Sequence, residues 1–281
     1  MKTETITAPL AGLKAVSISI NTPGPVAAAR LARMGASVTK VEPPSGDPLK
    51  AFAPAWYNSL SRGQTILALD LKDPAGLAQL DSLLAEANLL LASYRPSALQ
   101  RLGLDWERLH ARHPRLCFVG IIGHPPPHEE QSGHDLTYLA AAGLVTPPEM
   151  PATLFVDLAG AERCVSHALA LLLHFARTGE AGGAFISLYD CAEELKAPVT
   201  AGLTSPGGIL RGGFPLYGLY ETRHDWIAIA ALEPQFARRL LAELKLEKPE
   251  HAALAQAFRE RTAEAWEQWA AERDLPIVAV R

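Results

Sequence analysis

The chain has 281 residues, 48% of them hydrophobic and 20% charged, with a net charge of -4 at neutral pH. That length supports one sizeable core, or a core with a smaller satellite domain, in a soluble globular protein. The acidic balance argues against nucleic acid as a partner, because affinity for a phosphate backbone needs a concentrated cationic face.

The opening stretch MKTETITAPLAG has no apolar run behind its lysine, and the longest apolar run, ALALLL at 168–173, is far too short to span a bilayer. No targeting segment and no membrane partner are expected, which places the chain in the cytoplasm. Cys117, Cys164 and Cys191 sit in apolar runs without CxxC spacing and read as buried, reduced thiols.

Strand-like and helix-like segments alternate through the N-terminal two-thirds. KAVSISI (14–20) and SVTKVE (37–42) read as strands flanking a helix over 25–35 that Gly35 stops. Further strands are expected at 65–70, 88–93 and 115–122, with an amphipathic helix over 73–87 whose Pro74 suits the first turn. A short apolar helix follows over 135–142, then a long helix beginning at Leu158, with Asp157 at its N-cap and Gly179 as its C-cap, and a strand over 184–190. The pattern predicts an α/β fold, a Rossmann-like, mostly parallel sheet with helices on both faces. The glycine-rich LTSPGGILRGG (203–213) reads as a linker from this large domain, 1–202, to a small α+β domain over 214–281. The small domain would hold a hairpin over 216–231, three helices opening near 233, 249 and 263, and a last strand.

Several motifs are absent. The first loop, NTPGPVAA, has one glycine and cannot bring its backbone against a pyrophosphate as GxGxxG does, although Glu42 stands where a ribose-binding acid would sit. GxxxxGK[ST] and GxSxG are both missing. His124 and His128 are four apart, but HPPPH cannot be helical, so no metal site is expected.

Two helix starts carry acids, Asp135 and Asp157, and aspartate favours helix N-termini simply as a cap. His134, beside Asp135, adds a chemical reading, because an imidazole at a helix N-terminus has its cation disfavoured and serves as a neutral base.

GHDLTYLAAAGLV (133–145), LFVDLAG, LRGGFPLYGLYET and IAIAALEPQF, with GPVAAARLARMGASVTKVEPPSGDPL, SRGQTILALDLK and SYRPSALQRLGLDWERL before them, resemble class III CoA-transferases. Within that CaiB/BaiF family the resemblance is to the alpha-methylacyl-CoA racemase branch, and it covers nearly the whole chain. It implies that His134 and Asp157 are two catalytic bases and that Glu233 orients the histidine. It matches Asp135 to the aspartate that, in CoA-transferring members, forms an acyl anhydride and then an enzyme–CoA thioester. Lys40, Arg62 and Arg95, with Gly133 and Tyr138, occupy positions resembling CoA contacts, whereas Arg101 reads as a surface charge. Coenzyme A would enter as part of the substrate, and no separate cofactor is expected.

The implied activity is racemisation or epimerisation at the alpha carbon of a 2-methylacyl-CoA-type thioester by two-base proton transfer. Such chemistry needs a base on each face of the carbon and a donor for the enolate oxygen, which two helix N-termini can supply. A CoA-transferase using Asp135 as nucleophile is the alternative, and a non-catalytic acyl-CoA-binding protein a second. The sequence departs from the family at IIGHPPPHEEQ, where GFGQTGP-like residues are usual, in a shorter stretch from His134 to Asp157, and in stopping at DLPIVAVR. With that C-terminus, a homodimer is expected in which the small domain of one subunit caps the site of the other and brings Glu233 to its neighbour's His134.

Overall fold

The structure, a computed structural model, describes residues 8–281. The first seven residues, MKTETIT, on which part of the no-targeting reading rests, lie outside the described residues. Two compact units divide at Leu195 and Lys196, earlier than the glycine-rich stretch at 203–213 and inside a helix.

The first unit is built on six strands, β1 (Lys14–Ser17), β2 (Ser37–Glu42), β3 (Thr65–Ala68), β4 (Leu89–Ala92), β5 (Cys117–Ile122) and β6 (Gly183–Ser187). All pairings are parallel, in the order β3-β2-β1-β4-β5-β6. Alternation decides which side chain meets which layer, because successive residues of a strand point to opposite faces. On β4, Leu89 and Leu91 enter one core and Leu90 and Ala92 the other; on β5, Cys117, Val119 and Ile121 oppose Phe118. Both faces are therefore covered, which is why these strands read as continuous apolar runs.

One layer contains α1 (Pro23–Arg33), α2 (Leu49–Phe52), α3 (Pro54–Ser61), α7 (Asp135–Ala141), α8 (Phe155–Thr178) and α9 (Leu188–Thr200), whose apolar residues share a core. The other contains α4 (Pro74–Ala85), α5 (Pro96–Leu102) and α6 (Trp106–Arg112). Local signals act as expected at several ends. Asp73 accepts the Ala75 N–H at 3.0 Å ahead of Pro74. Gly35 and Gly179 take φ of +100° and +78°, values that an L side chain rarely adopts. The three cysteines are buried and unbridged, and burial pushes the Cys164 thiol up to about 12.

Two expectations change. The long helix begins at Phe155 rather than Leu158, so Asp157 lies in its first turn and is not its N-cap. The strand expected over 184–190 ends at Ser187, where α9 takes over and buries Cys191 and Ala192.

The second unit has an antiparallel sheet of β7 (Tyr217–Glu221), β8 (Trp226–Ala230) and β9 (Ile277–Ala279), with helices α10 (Pro234–Leu244), α11 (His251–Phe258) and α12 (Ala263–Ala271). Its core gathers Tyr220, Ile227, Ile229, Leu254, Phe258 and Trp266. Among the described residues no helix is long and apolar enough to cross a membrane.

Candidate active site

Neighbouring β1 and β4 mark the point where the strand order reverses, and open α/β sheets bind ligands in the crevice outside the carboxyl ends of such strands. A cleft of about 270 Å³ opens there. Asn21 reaches it from the end of β1, Ser93 and Arg95 from the end of β4, and Gly123 from the end of β5; His134, Tyr138 and Asp157 complete its wall. Three of the residues matched to CoA contacts, Arg95, Gly133 and Tyr138, thus line one cleft with both expected bases.

His134 is the N-cap of α7, in an extended conformation. The Thr137 hydroxyl accepts the His134 N–H at 3.0 Å and donates to its carbonyl at 2.8 Å, which fixes the backbone and leaves the imidazole exposed. Tyr138, buried one turn on, explains the glycines around it. A Cβ at Gly133 or Gly123 would stand 2.5 Å from the Tyr138 side chain, so only glycine lets the loop close on the ring. His124 meets that ring edge-on at 5.2 Å. Burial first, and the Asp157 charge second, push the Tyr138 hydroxyl up to about 12.

Asp135 does something that its sequence position conceals. Its Oδ1 accepts the N–H groups of Val156 at 2.7 Å and Asp157 at 2.9 Å, so it caps α8 from outside rather than α7 from within. This donated cap is why α8 starts three residues early, with Leu154 at the N-cap position making no side-chain bond. Asp135 is 5% exposed and lines a neighbouring apolar cleft with Trp56, Leu136, Met150 and Leu154, not the cleft of His134.

Asp157 is the most perturbed acid of the site. Burial, then the Asp135 charge, raise its carboxyl to about 6, against the pull of a Thr22 hydrogen bond and of His134. Thr22 is buried at the N-cap of α1. A carboxyl titrating near neutrality can take and return a proton at physiological pH.

The expected cations separate. Lys40 is 1% exposed; its ammonium pairs with Asp47 at 2.5 Å and Glu42 at 2.8 Å and lies 4.9 Å from the centre of the Tyr57 ring. It is a buried structural ion, which corrects its assignment as a CoA contact: on β2 the face that carries it packs inward with Val38 and Glu42. Glu42 accepts a hydrogen bond from Tyr57 Oη at 2.7 Å. Although burial opposes it, hydrogen bonds from Lys40 and Tyr57 hold Glu42 below the ordinary range. Asp47 passes this order on by accepting the Asn21 N–H at 3.0 Å, where the chain has φ of +68° beside the cleft.

Arg62 is exposed at the C-terminal end of α3 and does not line the cleft. Arg101 is exposed on α5, as expected, and with Lys72, Tyr94, Pro43 and Leu69 it lines a second cleft of about 430 Å³. Tyr94, which lines this second cleft, and Arg95, which lines the first, are consecutive residues just beyond β4. Glu233 stands exposed at the N-cap position of α10, in the second unit. Sequence reading missed Thr22, Lys72 and Glu129 as site residues. Their signal lay in position, each within a few residues of a strand end or of the GHD motif. No group of three metal-ligating side chains occurs among the described residues.

The family model of CoA-transferase family III matches residues 10–281. A CaiB/baiF CoA-transferase family protein of Caenorhabditis elegans is 28% identical over 260 residues, 85% of this chain and 73% of its own length. The alpha-methylacyl-CoA racemase of Homo sapiens is 30% identical over 263 residues, 86% of this chain and 66% of its own. The succinyl-CoA:glutarate CoA-transferase of Homo sapiens is 27% identical over 248 residues, 79% of this chain and 56% of its own. The chain thus spans between about half and three-quarters of these relatives. Among solved structures, the hypothetical protein Rv3272 of Mycobacterium tuberculosis superposes with a TM-score of 0.86 at 25% identity, covering 98% of this chain and 86% of its own.

Proposed function

This chain belongs to CoA-transferase family III, and from that premise we propose that it inverts the alpha carbon of a 2-methylacyl-CoA-type thioester by two-base proton transfer. The observation that carries the reading is the joint presence in one cleft of exposed His134 and of Asp157 with its carboxyl raised to about 6. In one direction the neutral imidazole removes the alpha proton while protonated Asp157 delivers one to the opposite face; the return reaction exchanges the roles. Net proton count is unchanged, and no cofactor enters beyond the CoA that the substrate carries. Each positioned base is worth about 10²- to 10⁴-fold in rate.

The enolate oxygen formed in between needs a donor. The Thr137 and Tyr138 amides already bond the His134 carbonyl, so the amides of Asp135 and Leu136, ahead of them in the same turn, are the candidates. For the CoA moiety, Arg95 in the cleft of His134 and Asp157 offers one cation, and the separate cleft lined by Lys72, Arg101 and Tyr94 offers two more and an aromatic wall for the nucleotide end. Lys40 has no part in binding.

Transfer of CoA through Asp135, the reaction class for which several relatives are named, needs a nucleophile free to attack. The Asp135 Oδ1 is engaged by two backbone amides and its side chain turns to the neighbouring cleft, which supports proton transfer instead. Incubation with a 2-methylacyl-CoA in D2O tests this: deuterium at the alpha carbon is expected. Exchange of CoA between carboxylic acids without wash-in would refute it.

We further infer a cytoplasmic homodimer. On the small sheet Leu219 pairs with Ala228, and Ala228 with Val278, in one row; Leu219 is 64% and Val278 52% exposed. A second copy covering that row supports the assembly.

A further inference from the structure

Glu129 lines the cleft with Arg95, His134 and Asp157, yet its Oε2 is buried and meets no hydrogen-bond donor among the described residues. It lies in the IIGHPPPHEEQ stretch that departs from the family pattern. The segment around it is well tethered. Prolines 125–127 restrict the backbone, the His128 N–H donates to the Pro125 carbonyl at 2.9 Å, and the Gln131 N–H donates to the His128 carbonyl at 2.9 Å. Gln131 Nε2 and His128 Nδ1 are 3.1 Å apart. Glu130, the next residue, accepts the Ser97 N–H at 2.9 Å and the Ser97 hydroxyl at 2.8 Å at the start of α5.

One acid of the pair is thus fully engaged in fastening the loop, and its neighbour is held facing the cleft with an acceptor unmet. Leaving a carboxylate oxygen out of water without a donor is costly, and such groups in folded proteins call for a cause. A ligand with an N–H or O–H group supplies one. The same negative charge, in the cleft that Asp157 also lines, opposes any ligand group that is itself an anion at that point.

Resting on the reading of this cleft as an acyl-CoA site, we propose that Glu129 is a substrate-binding residue that accepts an N–H or O–H donor of the thioester and disfavours acyl groups ending in a carboxylate. The donor can come from a hydroxyl or amine on the acyl chain or from a pantetheine amide. A hydrogen bond to a charged group is worth tenfold or more in affinity, to order of magnitude.

Calorimetric titration separates these cases without requiring turnover. The ligands are free CoA and three unreactive CoA thioethers carrying 2-methylpropyl, 3-hydroxy-2-methylpropyl or 2-carboxypropyl groups. A donor on the acyl chain makes the hydroxyl analogue the tightest ligand of the wild type by about tenfold or more, an advantage lost in Glu129→Leu. A pantetheine donor makes Glu129→Leu weaken free CoA and the two uncharged thioethers by a common factor, with the carboxylate analogue losing less because the repelling charge goes too. In either case the carboxylate analogue binds the wild type worst and recovers in Glu129→Gln, which keeps the shape and an acceptor oxygen and serves even where the leucine variant does not fold. Unchanged affinities for all four ligands across wild type and both variants would overturn the proposal while leaving the acyl-CoA reading intact. Failure of the wild type to bind any of the four would overturn that reading, and the proposal with it.

Discussion

Replacing Asp157 by asparagine should make the protein more stable at pH 8, the reverse of what loss of a buried aspartate at a helix start usually does. The Asp157 carboxyl titrates at about 6 in the fold against 3.8 in a free chain, a shift of roughly 2 units, or about 3 kcal/mol. The sign follows from which form the fold disfavours. Below pH 3.8 the carboxyl is protonated in both states and costs nothing; as pH rises through about 6 the folded state must hold a poorly solvated anion near Asp135, and that stability is lost. Asparagine never acquires the charge, and its side-chain oxygen can still accept from Thr22. The cap of α8 is untouched, because Asp135 provides it. The variant should therefore match the wild type near pH 4 and gain up to about 3 kcal/mol above pH 7, which for a unit of this size is roughly 6–12 °C in Tm. Melting both proteins by circular dichroism at pH 4 and pH 8 reads this directly. A difference in Tm that is equal at the two pH values, or a variant less stable at pH 8, would refute the burial argument and with it the case for Asp157 as a base.

Lys40→Met should destabilise the fold by about 3–5 kcal/mol in a denaturant titration, since it strands Glu42 and Asp47 as buried anions; a loss near zero would return Lys40 to the surface and to CoA binding. Asp135→Ala should cost about 1–2 kcal/mol through the lost cap of α8, with Asp135→Asn costing less and retaining alpha-proton exchange. An Asp135→Asn variant that is fully stable but inert would favour the nucleophile. Leu219→Glu should shift a wild-type dimer toward monomer in sedimentation equilibrium at micromolar concentration, and a monomeric wild type would refute the assembly.

Much of the first unit was legible because its signals are local. The strand over 37–42 and the C-cap at Gly179 follow from alternation and from a residue that tolerates positive φ. What escaped depends on partners far along the chain. The start of α8 is set by Asp135, 22 residues before Asp157, so no window around the helix reveals it. Lys40 looked like a binding cation because its compensating acid, Asp47, lies in a loop whose inward turn no periodicity announces. Residues 49–61, unassigned from sequence, form the two short helices α2 and α3, which bring Tyr57 onto Glu42. Arg101 is at the surface as its helix position implied, but that it shares a cleft with Lys72 depends on residues 29 apart. That His134 and Asp157 belong together was implied by the family resemblance, whereas the raised carboxyl follows from burial and from the Asp135 charge that the fold brings near.

The central claim, a base on each face of one carbon, is tested most directly by stereospecific exchange in single-base variants. Each enantiomer of a 2-methylacyl-CoA is incubated in D2O with His134→Gln and with Asp157→Asn, and alpha deuterium is followed by mass spectrometry. Two opposed bases predict reciprocal losses: each variant abolishes inversion, and each retains wash-in from only the enantiomer whose proton faces the surviving base. Equal loss for both enantiomers in one variant, with the other variant unaffected, would contradict the account and leave a single base.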